Sequence, residues 1–114
     1  MKGAGRFRRR VTFQQRAAVA NGARQGAWQD VVTRRADVVP LKGGESVRAQ
    51  RLEGKQPVVI TVRRDVLTGS IDNSFRAVDA RDPTIRWNIA SKIWNEDEDL
   101  IEVLATQNLN GADG

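Results

Sequence analysis

The sequence contains no cysteine and no histidine. Without cysteine there are no disulfide bridges or thiolate nucleophiles, and without histidine there is no imidazole base; together the two absences exclude nearly every kind of zinc site. Carboxylates such as Asp79 and Asp82 are present, but no catalytic constellation accompanies them, so they are assigned no catalytic role. The sequence therefore predicts a protein that is not an enzyme and has no cofactor and no metal.

Long apolar runs are also missing, since none approaches the roughly 20 residues that a membrane helix needs. The basic start "MKGAGRFRRR" has no apolar segment behind it, as a secretory signal would. We therefore expect neither a membrane span nor secretion by a standard signal. Aromatic residues are few, at 5%, so Trp28, Trp87 and Trp94 are expected to serve core or interface packing and not base stacking.

Charge is distributed unevenly along the 114 residues. Residues 1–64 hold 15 Lys and Arg against 4 Asp and Glu, a balance of +11, whereas residues 65–114 hold 4 against 10, a balance of −6. The sum is the net charge of +5. A basic half favours phosphate partners, and an acidic half offers a complementary surface to a basic neighbour, which could be a second copy of the chain.

The pattern of short apolar segments predicts an all-β fold, a small barrel or sandwich of about six antiparallel strands. The length suits one domain, 1–114, with an ordered core over about 5–106 and a flexible tail over 107–114. Strands are predicted at "RRRVTFQQR", "AWQDVVTRRADVVPL", "PVVITVRR", "SFRAVDAR", "IRWNIASKIW" and "LIEVLATQ". A tight turn is expected at Asn21–Gly26.

Two of these strands carry more specific signals. In the second, apolar residues change parity between Val31 and Val32 and again between Val38 and Val39, which indicates a bulge or bend before Pro40 ends the strand. In the fifth, alternation predicts one buried face. That face would consist of Ile85, Trp87, Ile89 and Ile93.

One short helix is predicted between the second and third strands. Ser46 can cap its N-terminus, "VRAQRLE" contains good helix formers, and Gly54 can end it. At about 100° per residue, Arg48, Arg51 and Lys55 form a basic stripe on one side. The stripe is either a phosphate-binding face or simply the solvated side of a surface helix.

A cluster of positive charge lies near the start of the chain, and a cluster of negative charge lies near its end. Arg6, Arg8, Arg9 and Arg10 begin the first strand and either contact a neighbouring subunit, a neighbouring ring or DNA, or form a solvated basic terminus. Glu96, Asp97, Glu98 and Asp99 lack the spacing and glycine of a calcium loop, so they are interpreted as a solvated hairpin tip, with subunit pairing as the alternative.

The order of these elements resembles the phage head-tail joining proteins, also called head-closure or stopper proteins, of tailed phages and gene transfer agents. The resemblance covers about Gly5 to Thr106. It rests on the basic "GRFRRRVTFQQR", the Trp-bearing strand ending "ADVVPLKGGES", the helix "VRAQRLEG", the strand "VVITVRR" and the finish "WNIASKI…LIEVLAT".

This resemblance implies a structural virion protein at the head-tail interface of a phage-like particle, assembled in the bacterial cytoplasm. It implies a ring of six or twelve copies, a portal or adaptor ring on the head side, a tail terminator or tail protein on the other, and no membrane partner. The inserted segment Leu41–Gln56 would lie toward the DNA channel. Its cations Lys42, Arg48, Arg51 and Lys55 would then face the phosphates of packaged double-stranded DNA without reading bases.

Two other interpretations fit the same residues. The basic half would suit a small nucleic-acid-binding barrel of the host, of the OB or SH3 kind. An adaptor or tail-completion protein of the same particle would differ only in its position along the particle axis.

Overall fold

The computed structural model describes residues 7–17 and 26–108. Within these ranges it contains six strands and one α-helix: β1 (Arg9–Arg16), β2 (Trp28–Pro40), α1 (Glu45–Leu52), β3 (Lys55–Arg63), β4 (Phe75–Asp79), β5 (Arg86–Asn95) and β6 (Leu100–Asn108). All six predicted strands are present. Arg6, most of the turn predicted at Asn21–Gly26, and the tail from residue 109 lie outside the described residues, and β6 continues two residues into the segment predicted as tail.

The strands form a closed antiparallel barrel in the order β1-β2-β3-β6-β5-β4, in which β4 returns to pair with β1. This confirms the predicted fold class. The long β2 serves two neighbours, pairing with β1 up to Ala36 and with β3 from Ala36 to Pro40. β2 therefore links β1 to β3 in the closed sheet.

The bulge predicted in β2 is present at Val31. Phe13 is opposite Val32 and Gln14 is opposite Asp30, so Val31 is the extra residue. The second parity change, at Val38 and Val39, produces no bulge, because the register with β3 is continuous from Ala36 to Pro40.

A bulge in β5 was not predicted, and it corrects the expected core. Ile89 is opposite Ala105 and Ser91 is opposite Leu104, so Ala90 is inserted and the alternation of the strand is interrupted there. Trp87 and Ile89 are buried as expected, but Ile93 is 66% exposed. The prediction that Ile93 belongs to the buried face was therefore wrong.

The barrel interior is one apolar cluster to which every strand contributes. Its members are Val11, Phe13, Val32, Ala36, Val58, Ile60, Val62, Ile71, Phe75, Ala77, Trp87, Ile89, Ile101, Val103 and Ala105. Among them, Ile71 comes from the loop between β3 and β4, so this loop also packs against the core. No helix in the described ranges has the length and apolarity to cross a membrane.

The helix α1 lies in the connection between β2 and β3, as predicted, but its start differs. Gly44, with φ of 90°, is the N-cap residue and no side chain caps the helix, so Ser46 lies inside the first turn and is not a cap. Gly54, with φ of 83°, follows the C-terminus in the left-handed conformation that glycine adopts readily. None of the eight residues of α1 is buried.

Candidate anion-binding surfaces

The inserted segment Leu41–Gln56, called the insertion below, is joined firmly to the barrel at its base. The amide of Leu41 donates to the carbonyl of Pro57 at 3.0 Å, and the side-chain amide of Gln56 donates to the carbonyls of Leu41 and Pro57 at 2.8 and 2.7 Å. Beyond this base, α1 packs mainly against β3 and exposes Leu52 almost completely. The insertion is therefore a projection held at its two ends, with an apolar side chain left in solvent.

The structure leaves the four predicted cations of the insertion exposed, but it changes the geometry of the stripe. Arg48 and Arg51 lie on α1, whereas Lys55 is the first residue of β3. The prediction that Lys55 continues the helical stripe was wrong, because Glu53 and Gly54 form a turn that ends the helix first. Lys42 precedes the helix. Along the chain, one cation therefore lies before α1, two lie on it and one lies after it.

A second basic region lies on the barrel wall, and we call it the arginine surface. Three adjoining grooves of about 280, 180 and 250 Å³ make it up, and they share Arg10, Arg34 and Arg35 among their walls. The arginines that line the grooves are Arg8, Arg9, Arg10, Arg34, Arg35, Arg63 and Arg81. Two aspartates, Asp79 and Asp82, line one groove, and Asp65 is bound to Arg34, so seven positive charges meet three negative ones and the balance is +4.

One ion pair fixes the barrel side of this surface. Arg9 donates to Asp79 at 2.6 Å and lies over the buried Trp87 ring, 5.3 Å from its centroid. Burial by itself would raise the pKa of the Asp79 carboxyl, but hydrogen bonds from Arg9 and from the amides of Arg81 and Asp82, with the charge of Arg9, leave that pKa below its ordinary value. Asp79 is therefore ionised and holds Arg9 against the barrel.

A second ion pair fixes the other side. Arg34 donates to Asp65 at 2.8 Å, and the other carboxylate oxygen of Asp65 accepts from the amides of Leu67 and Thr68. Desolvation opposes ionisation, but the amide of Thr68, the Arg34 guanidinium and the amide of Leu67 together hold the pKa of Asp65 below its usual range. The buried Thr68 hydroxyl donates to the carbonyl of Arg63, which ties this loop to the end of β3.

Replacement of Asp79 by Asn is expected to destabilise the fold at neutral pH and to have a smaller effect at pH 2. The lowered pKa means that the carboxylate contributes its stability above its unfolded pKa of about 4 and loses it as the pH falls through the folded value. Because the Arg9 side chain is 40% exposed, we expect a modest loss of about 1 to 2 kcal/mol.

Urea unfolding of wild type and Asp79→Asn at pH 7 and pH 2 measures this effect. Asp97→Asn, which removes an exposed carboxylate of the β5-β6 turn, is the matched control and should leave the free energy of unfolding almost unchanged at both pH values. An equal loss at pH 7 and pH 2 for Asp79→Asn would show that the ionised pair is not the source of the stability.

Arg10 and Arg35 differ from the paired arginines around them. They are direct partners in the register of β1 and β2, and both side chains are exposed on the outer wall. Neither guanidinium forms an ion pair within residues 7–17 and 26–108. Next to them on the same face, the hydroxyls of Thr12 and Thr33 are hydrogen-bonded at 2.8 Å. Two unneutralised guanidiniums therefore stand side by side on a wall held rigid by its neighbours.

The acidic residues Glu96–Asp99 form the turn of the β5-β6 hairpin, called the hairpin tip. Asp99, with φ of 54°, accepts from the Trp94 indole at 3.3 Å and its carbonyl accepts from the Arg64 amide. Glu98 accepts from Asn95, so this half of the tip is used to shape the turn. All four side chains are exposed. In the described ranges no group of three carboxylates could hold a metal ion.

Sequence reasoning found the start of β1 but missed most of the arginine surface. The folded barrel brings Arg8–Arg10 close to four arginines that are distant in the chain, namely Arg34, Arg35, Arg63 and Arg81. The sequence did contain one signal for this surface: the adjacent Arg34 and Arg35 in the middle of a predicted antiparallel strand. Arg6, predicted as part of the same cluster, lies outside the described residues.

Of the three tryptophans, only Trp87 packs in the core, whereas Trp94 is 46% exposed beside the Arg64 guanidinium. Trp87 is 1% exposed in the barrel core, and its indole nitrogen has no hydrogen-bond partner there. Trp28 is half-buried, and the guanidiniums of Arg16 and Arg76 each lie 4.5 Å from its ring centroid. Its ring is therefore already in contact with two cationic side chains of its own chain.

Solved structures share this barrel. The solution structure of protein SF1141 from Shigella flexneri 2a has a TM-score of 0.65 at 21% sequence identity, covering 93% of this chain and 96% of that chain. A chain in the virion of a native gene transfer agent particle has a TM-score of 0.62 at 17% identity, covering 89% and 94%. At these identities the similarity establishes the fold alone. No curated protein matches the chain.

The sequence profile of the phage head completion proteins matches residues 3–107, nearly the whole chain. That family consists of structural proteins of the particle. Its match confirms the resemblance drawn from the order of elements, and with it the expected location in a virion or phage-like particle at the head-tail interface. The chain belongs to the phage head completion protein family.

Proposed function

We propose that this chain is the subunit of a ring that closes the DNA-filled head, joins it to the tail and helps to retain and pass the packaged double-stranded DNA. The observation that carries the proposal is the family match over residues 3–107 on a barrel whose insertion projects four exposed cations. The expected mechanism is assembly, with no chemical step and no cofactor.

Ring formation would concentrate positive charge and produce a stronger electrostatic field than a single copy does. One copy carries +5, so six copies carry +30 and twelve carry +60. Charge of one sign concentrated around a narrow passage raises the local potential and attracts a polyanion and its counterions. Phosphate contacts from lysine and arginine hold a duplex without reading its sequence, which is what a DNA conduit requires.

The insertion is the part of the subunit that we assign to the channel. Its helix buries no residue in the monomer, and a two-turn helix is marginal in water without packing. Contacts with a partner would therefore stabilise it further. With Lys42, Arg48, Arg51 and Lys55 exposed on it, DNA in the channel and the neighbouring copies around the channel are the partners that fit.

The remaining charged groups are assigned to neighbouring proteins or, for the arginines, to DNA. Arg6 and Arg8–Arg10 at the start of β1, and the hairpin tip Glu96–Asp99, have opposite charge and belong to different parts of the chain. Contacts of these groups with adjacent subunits, with a portal or adaptor ring on the head side, or with a tail terminator or other tail protein would set the position of the ring.

The arginine surface favours one second candidate, a nucleic-acid-binding module that acts as a monomer. Such a module would bind DNA or RNA at physiological salt as a single copy, with a steep salt dependence. A ring subunit would bind weakly until it assembles. An adaptor or tail-completion protein of the same particle would share the assembly behaviour of the ring subunit and differ in which neighbours it contacts.

Genome context and particle composition test the proposal. Genes adjacent to the one for this chain should encode portal, capsid and tail proteins, and mass spectrometry of purified DNA-containing particles should detect the chain. A gene surrounded by functions unrelated to particles, with a product absent from every particle preparation, would contradict the proposal.

A further inference from the structure

We infer that the arginine surface is a second binding site for the phosphodiester backbone of DNA, centred on Arg10 and Arg35 and separate from the insertion. The inference deepens the proposed function, because it names a further part of the subunit that touches the packaged DNA. It depends on that function only for the source of the DNA. The site itself rests on the geometry of β1 and β2.

The central observation is a like-charge pair at direct cross-strand positions. Arg10 is opposite Arg35, where the Cβ atoms of antiparallel partners lie about 5 Å apart. Like charges at such positions destabilise a sheet, and no carboxylate in the described ranges forms an ion pair with either of them. An anion bound between the two guanidiniums would remove this repulsion.

The residues around Arg10 and Arg35 are held in place by ion pairs and hydrogen bonds. Arg9 and Arg34, which flank the pair in sequence, are tied down by Asp79 and Asp65, and these carboxylates are held in turn by backbone amides. The fixed pairs shape the groove walls and leave Arg10 and Arg35 as the free charges between them. Thr33 lines the same groove of about 180 Å³ and adds a hydroxyl group.

The shape of the surface indicates an extended anion. The groove around Arg10 and Arg35 adjoins one that reaches Arg63 and another that reaches Arg8 and Arg81, and the three share wall residues. A single phosphate or carboxylate would occupy one groove. A chain of evenly spaced phosphates can contact all three and meet the balance of +4 along its length.

The composition of the walls favours phosphate over an acidic protein segment. Seven of the wall residues are arginines, and none of the exposed large hydrophobic residues in the described ranges lines a groove, so the walls present no exposed apolar side chain to a protein partner. The one hydrophobic wall residue, Phe7, is 3% exposed and lies under Arg63, whose guanidinium is 5.0 Å from the ring centroid. The arginine fork suits bidentate contact with phosphate oxygens.

Titration of the full chain with a 12-base-pair duplex tests the inference. Amide signals would be followed by NMR in about 20 mM salt. We expect weak binding that shifts residues of β1 and β2 around Arg10 and Arg35. The variant R10Q/R35Q should bind at least tenfold more weakly and reduce the slope of log K against log salt by about 1.8, since each lost phosphate contact contributes about 0.9.

The matched control is R48Q/R51Q, which removes the same charge from α1. It should leave the shifts in β1 and β2 in place, because the two sites are separate. Unfolding curves of both variants show whether each is folded, and R10K/R35K, which keeps the charge, is expected to retain most of the binding and the salt slope.

Three results would overturn the inference. In the first, R10Q/R35Q binds the duplex as wild type does. In the second, the duplex shifts amide signals of the insertion only. In the third, poly-glutamate binds the surface as tightly as the duplex at equal charge, which would identify an acidic protein segment as the ligand. Failure of the head-completion role would instead appear as absence of the chain from particles, with binding of the duplex unaffected.

Discussion

Deletion of the gene for this chain is expected to leave the host cells producing DNA-filled or leaking heads that carry no tails. In the proposed role this ring joins the head to the tail, so we do not expect contacts elsewhere to compensate for its loss. DNA held in the head is at the same time left without the ring that closes its exit. We therefore expect tailed particles to be nearly absent.

Electron microscopy of particles from the deletion strain measures the outcome directly. Supplying the gene in trans should restore tailed particles, which controls for effects on neighbouring genes. Nuclease treatment before imaging separates closed heads from leaking ones, since only leaking heads lose DNA that has become accessible. Tailed particles of normal form and number in the deletion strain would contradict the proposed role.

Charge reversal in the insertion is expected to have the second largest effect. In the variant R48E/R51E/K55E each substitution changes the charge by two, so the net charge of a copy falls by six, from +5 to −1. In a ring of six copies the total falls from +30 to −6, and the channel changes from attracting phosphate to repelling it. Three lost phosphate contacts would lower the slope of log K against log salt by about 2.7. With repulsion in place of attraction, we expect DNA retention or delivery to fall at least tenfold.

This variant separates the channel assignment from folding. None of the residues of α1 is buried and Lys55 is exposed, so the monomer should fold and melt much as wild type does. The variant R48K/R51K/K55R keeps every charge and should support normal delivery, because contacts with phosphate that do not read bases depend mainly on charge. If R48E/R51E/K55E particles carry and deliver DNA as before, the insertion does not face the channel.

Much of the fold could be predicted because each strand carries its own signal. The alternation in β1, the β-branched run in β3 and the parity change at Val31 are local, and the barrel reproduces all three. The bulge at Ala90 could not be predicted in the same way. It exists because of the register between β5 and β6, and through it a strand with an unbroken alternation in sequence exposes Ile93.

For the two basic surfaces as well, features set by residues close in sequence were predictable and features set by strand pairing were not. The cations of the insertion were identifiable because they are close in sequence, although the helix ends before Lys55 and begins at a glycine instead of at Ser46. The arginine surface was mostly missed, because its residues come from β1, β2, β3 and the loop after β4 and meet only in the folded barrel. Cross-strand partners of a known cluster, such as Arg35 opposite Arg10, become visible only when the register is known.

The most direct test of the central claim is a cryo-electron microscopy map of the mature particle that resolves the insertion, Leu41–Gln56, relative to the axial DNA. The proposed ring predicts that α1 of every copy lines the channel, with Arg48 and Arg51 within reach of phosphate groups. A map in which the insertions lie on the outer circumference of the ring, away from the DNA, would contradict it.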